Sequence, residues 1–79
     1  MDTLQAINGI IGYCYEQIDD FKLRADLAIS MSWRQRCPIE SASFSLANRV
    51  SDCISEWCEE NDCNELYDDI SVEDILLNM

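Results

Sequence analysis

The chain has 79 residues and an apolar content of 48%, so it is one domain near the lower size at which a single core supports a fold, and too apolar for a disordered acidic tail. A net charge of −11 argues against direct nucleic-acid binding, and the absence of His removes the commonest general base and the commonest zinc ligand. Two Gly and one Pro are too few for a strand-and-turn protein, which favours helices.

In chain order, Leu4, Ile7, Ile11, Cys14 and Ile18 step by 3, 4, 3 and 4 residues, one face of a helix running from Asp2 or Thr3 to about Ile18. Gly9 and Gly12 weaken it by roughly 1 kcal/mol each against Ala, and the turn dipeptide Asn8-Gly9 leaves open a start only at Gly9. These glycines read first as tolerated helix residues and second as points of close approach for another helix. Asp19-Asp20 marks a boundary: beyond it Leu23, Leu27 and Met31 lie on a face rotated by more than about 90°. Two helices with Asp20 as N-cap explain the jump better than one long helix.

Cys37-Pro38 begins the next helix, with proline suited to the first helical position. Ile39, Leu46, Val50, Cys53 and Trp57 share one face of this strongest element, which is expected to run to about Glu60 with Asn61 as a left-handed terminator. Leu46, Val50 and Trp57 are expected to be nearly inaccessible. A short acidic connector spans residues 62–69. Ser71 and Asp74 then have capping-box spacing, with Ile70 and Ile75 placed as a hydrophobic staple. The expected fold is all-α: a single domain with three principal helices and a short C-terminal fourth, packed as a small bundle or orthogonal array.

Ten of the sixteen acids follow Arg49, and no base does. Charge at this density repels itself in a compact state. The expected role is therefore a non-enzymatic interaction protein whose acidic surface docks on a basic surface of a nucleic-acid-binding protein. Glu56, Glu59, Glu60, Asp62, Glu65, Asp68 and Asp69 are the candidate contacts. A helix with an acid at every third position offers one charge per about 4.5 Å, against one per about 1.7 Å along B-DNA, so any nucleic-acid mimicry is partial. Small acidic inhibitors from phages and mobile elements, of the anti-CRISPR and anti-restriction kind, share this general composition. Trp33, Arg34 and Arg36 form the one basic-aromatic cluster. Its arginines are expected to pair with acids of the second half, and the cluster is a further candidate for partner contact. The alternative is a structural or assembly module, either a helical homodimer or a small subunit of a larger complex.

Enzymatic chemistry is not expected, since neither a His-based dyad nor a phosphate-cradling Gly-rich loop is present. The five Cys are an odd number, and the acidic start Met1-Asp2-Thr3 reads as no signal peptide. Free thiols in a reducing cytoplasm, with no membrane segment, follow as expectations. Cys53, Cys58 and Cys63 are spaced too widely for a zinc knuckle. An EF-hand register starting at Asp62 would put Leu66 and Tyr67 where an oxygen ligand and a turn Gly belong. No metal or cofactor is expected. Cys37 follows two arginines, which would favour its thiolate, although a turn-capping role is preferred. Finally, Phe44-Ser45-Leu46 and the segment from Ile70 to Ile75 resemble parts of acyl carrier proteins, small acidic helical proteins with a phosphopantetheine on the Ser of an Asp-Ser-Leu motif at a helix start. Phe44 stands where that motif has Asp, Ser45 is expected inside a helix, and a helix over 21–36 fills what the family has as loop.

Overall fold

The computed structural model describes residues 2–79. Their fold is all-α: α1 (Thr3–Gln17), α2 (Phe21–Gln35), α3 (Ile39–Ala42), α4 (Phe44–Glu60), a 3-10 segment (Asn64–Asp69) and α5 (Val72–Leu77). None of these helices is long and apolar enough to cross a membrane.

Local chemistry sets most of the boundaries. Asp2 caps α1: its carboxylate accepts from the Gln5 N–H at 2.8 Å, and the Gln5 side chain accepts from the Asp2 N–H. This capping box starts the helix ahead of Gly9, and α1 runs unbroken through both glycines. Asp20 precedes α2 as expected, but in a left-handed conformation (φ 55°) that offers no side-chain cap. It acts as a hinge between helices instead of a donor-satisfying N-cap.

α2 ends in a Schellman motif. The Cys37 N–H donates to the Ser32 carbonyl at 3.1 Å, and Arg36 takes the left-handed position at φ 52°. Ser32, the one buried polar side chain among the described residues, donates its hydroxyl to the Cys37 carbonyl. α4 ends the same way one residue later than expected. Asn61 is not left-handed; Asp62 is, at φ 55°. The Cys63 N–H donates to the Cys58 carbonyl at 2.8 Å, and the Asp62 N–H to Glu59 at 3.3 Å. Cys58 and Cys63, both buried, supply the apolar contact that accompanies this motif. α5 has the capping box between Ser71 and Asp74, with Ile70 and Ile75 buried as its staple.

The helix expected from Pro38 to Glu60 is two helices. Pro38 is the N-cap of α3, not its first helical residue, and the chain bends at Ser43 (φ −143°, ψ 86°) before α4. Serines at 41, 43 and 45 are weak helix formers, which lowers the propensity for a continuous helix there. The bend frees α3 to bridge α2, α4 and α5, with Ile39 buried at the junction.

The core lies between α1 and α4 and is closed by α5. Ile10, Cys14, Leu46, Val50, Cys58 and Ile75 are fully buried, and Cys14 on α1 and Cys53 on α4 are both core residues. Trp57 departs from expectation by being only half-buried. Its ring lies against α1 at Gly9, where a Cβ would fall 2.5 Å from the nearest ring carbon. Gly9 is thus a point of close approach, whereas a Cβ at Gly12 would meet nothing within 4 Å.

The α1 stripe is also rotated from the expected one. Ala6, Ile7, Ile10 and Cys14 face the core, while Leu4 is 60% exposed. On α2 the departure is larger. Its buried face is Phe21, Ala25, Ala28 and Ser32, and the stripe Leu23, Leu27 and Met31 is exposed. Small side chains let α2 lie close against its neighbours, and the larger ones are left on the outside.

Candidate functional site

Two surfaces stand out, and they belong to different parts of the molecule: α2 packs mainly on α3, while the 3-10 segment packs on α4 and α1. The first surface is acidic. On α4, Asp52, Glu56, Glu59 and Glu60 follow an i, i+4, i+7, i+8 pattern, which places them on one face, and all four are exposed. The chain then turns at Asp62 into the 3-10 segment, where Glu65, Asp68 and Asp69 are exposed in turn. All seven sequence-derived acidic candidates therefore lie on the continuous stretch from the second half of α4 to the end of the 3-10 segment.

None of these carboxylates forms an ion pair among the described residues. The only ion pair among the described residues is Lys22–Asp26 at 3.3 Å, within α2. The expected pairing of Arg34 and Arg36 with acids of the second half is absent among the described residues: both sit at the C-terminal end of α2, which packs mainly on α3. The remaining arginines are used elsewhere: Arg49 donates to the Gln17 carbonyl at 2.9 Å and Arg24 to the Ser45 hydroxyl at 3.5 Å. Within the acidic face, Glu56 accepts the Tyr13 O–H at 2.7 Å. Donation to that carboxylate, followed by desolvation and the nearby charges of Glu56 and Glu60, pushes the Tyr13 phenol up to about 12.

The second surface is apolar with basic margins. Leu23 is 60% exposed, Leu27 55%, Met31 40% and Trp33 77%, and Lys22, Arg24, Arg34 and Arg36 all lie on or next to the same helix. Trp33, Arg34 and Arg36, named from sequence as a cluster, are all exposed here, with Arg34 in line with the stripe and Trp33 off to one side. At the α1–α2 junction, Tyr15, Phe21, Lys22, Leu23 and Asp26 line an open cleft of about 560 Å³.

The thiols offer little reactivity. All five cysteines are free. Burial, foremost, pushes the Cys14, Cys53 and Cys58 thiols up, which keeps them protonated and inert. Cys37 is partly exposed and sits in the turn after α2, its thiol 3.8 Å from the Gln35 side-chain oxygen. Among the described residues no three Cys, Asp or Glu side chains converge in a way that could hold a metal ion. Ser45 is not inside a helix as expected: with the bend at Ser43 it becomes the second residue of α4, and it is exposed.

No family model, curated protein or solved structure matches the chain.

The α2 surface was missed in the sequence because its large apolar residues were read as the buried face. The competing signal was present. Phe21, Ala25, Ala28 and Ser32 recur at helical spacing too, and a row of small residues allows close helix packing as readily as a row of large ones fills a core.

Proposed function

We propose that this protein is a non-enzymatic interaction protein whose acidic surface, from Asp52 on α4 to Asp69, docks on a basic surface of a nucleic-acid-binding partner. The observation that carries the reading is that, among the described residues, none of the ten acids after Arg49 forms an ion pair. A surface serving only the fold would relieve some of its like-charge repulsion with its own bases. Here four of the five bases lie on or beside α2 instead. The field above α4 and the 3-10 segment is therefore free to act on a partner, raising its encounter rate by on the order of 10- to 1,000-fold at low salt.

The test is group neutralisation. Glu56, Glu59, Asp62, Glu65, Asp68 and Asp69 are changed together to Gln or Asn, and association with the basic partner captured from the host at low salt is followed over a range of salt concentrations. Association is expected to slow by about tenfold or more with dissociation little changed, and the salt dependence to flatten. The fold is expected to persist, because all six side chains are exposed. The parent should compete with DNA or RNA for the partner while binding neither. Unchanged association across salt concentrations would reduce this face to a solvated surface.

A second reading has one observation in its favour. Ser45 stands exposed at the start of α4, as the serine of an acyl-carrier-like protein would. Phe44 in place of the motif's Asp and α2 in place of a loop count against it. Incubation with coenzyme A and a phosphopantetheinyl transferase separates the two readings. A mass gain of one phosphopantetheine that is lost in Ser45→Ala supports the carrier, and an unmodified chain excludes it for that transferase. The assembly-module alternative draws on the α2 surface.

A further inference from the structure

We propose that the chain self-associates through α2, packed antiparallel against α2 of a second copy about a twofold axis at Leu27. This inference stands apart from the acidic docking surface and uses none of its residues.

Two features of α2 converge on a second copy. The first is shape. Leu23, Leu27 and Met31 form an i, i+4, i+8 ridge on a 15-residue helix, the kind of row that interdigitates with its own equivalent when two helices cross. A register centred on Leu27 sets Leu23 opposite Met31 of the second copy, so the ridge is complementary to itself, as a twofold contact requires.

The second is charge. At about 100° per residue, Arg34 lies about 20° from the Leu27 direction, beyond Met31 at one end of the ridge. Asp20 lies just ahead of the other end. The same register puts Asp20 opposite Arg34 of the second copy, twice over by symmetry. Neither Arg34 nor Arg36 has an acidic partner within its own chain, so these pairings use charges that the single copy leaves free. The antiparallel arrangement also opposes the two helix dipoles. Over residues 19–36 three acids meet four bases, whereas the rest of the chain carries thirteen acids and one base. Two copies of a −11 chain can therefore approach here with the least repulsion.

Sedimentation equilibrium of the full chain across a wide concentration range tests the association, and two variants test the geometry. The parent is expected to be a reversible dimer. Leu27→Glu places two carboxylates against each other on the axis and is expected to weaken the dimer by more than about a hundredfold, with helical content unchanged because Leu27 is exposed. In a Cys37→Ser background, Leu27→Cys is expected to form an interchain disulfide on mild oxidation, giving a covalent dimer that dithiothreitol reverses. A parent that stays monomeric at every concentration overturns the proposal. So does a dimer that withstands Leu27→Glu, or one that fails to cross-link at position 27. The neutralised acidic variants are expected to dimerise like the parent or more tightly, so loss of partner binding and loss of dimer identify different failures.

Discussion

Leu46→Ala is expected to cost about 2–5 kcal/mol and to leave much of the protein unfolded at ambient temperature. Leu46 is 1% exposed on the first turn of α4, within the core where α1, α3 and α5 meet that helix. Removing most of its side chain loses the transfer free energy and leaves a cavity that the surrounding helices close only in part. A single core of this size supplies roughly 3–5 kcal/mol in all, so the loss is comparable to the whole. Urea denaturation followed by circular dichroism measures it. The neighbouring Phe44→Ala is the control: Phe44 is 72% exposed, and its truncation is expected to change stability by no more than about 0.5 kcal/mol. Equal midpoints for Leu46→Ala and the parent would contradict the packing of α4.

Alanine at the two helix glycines is expected to act with opposite signs. At Gly12 the added methyl meets nothing within 4 Å, so the helix-propensity gain of about 0.8–1 kcal/mol is kept whole. At Gly9 the same gain is offset by overpacking. The methyl would sit 2.5 Å from one Trp57 ring carbon and 2.9 Å from the next, and the rigid indole must move as a unit. Displacing it costs about 1–3 kcal/mol, so the net change is destabilising. The thermal midpoint is expected to rise for Gly12→Ala and fall for Gly9→Ala, by several degrees each for a domain of this length. A rise for both would mean that Trp57 swings clear without loss, and that its contact with α1 contributes little.

The parts of the fold most legible in the sequence are those set by local chemistry. The α5 start follows from Ser71, Asp74, Ile70 and Ile75 within six residues. The α1–α2 break is where the sequence puts it, but the phase change offered for it rests on the exposed Leu23, Leu27 and Met31, whereas the buried Cys14, Ile18, Phe21, Ala25, Ala28 and Ser32 keep one phase. The bend at Ser43 was hidden because Ile39 and Leu46 fall on the same face whether or not the helix is continuous, so periodicity carries no information about it. Choosing which side of α2 is buried required knowing how close its neighbours lie, and hydrophobicity alone favoured the wrong side. Trp57 against Gly9 is a contact across forty-eight positions of sequence, invisible to any local pattern. The acidic candidates could be read directly because charge stays at the surface almost regardless of fold. Their lack of ion partners depended on where α2 carries the arginines, which only the packing decides.

The small-residue face of α2 bears on how the molecule comes apart. Ala25, Ala28 and Ser32 bury little area, so apart from Phe21 this helix is tied down by far less than α4, and left-handed residues at Asp20 and Arg36 mark where it can swing away. Amide hydrogens along α2 are expected to exchange through a local opening, and those in the core of α1 and α4 only on global unfolding. A second molecule seated on Leu23, Leu27 and Met31 would close that opening by mass action. Protection of α2, unlike that of the core, is then expected to rise with protein concentration.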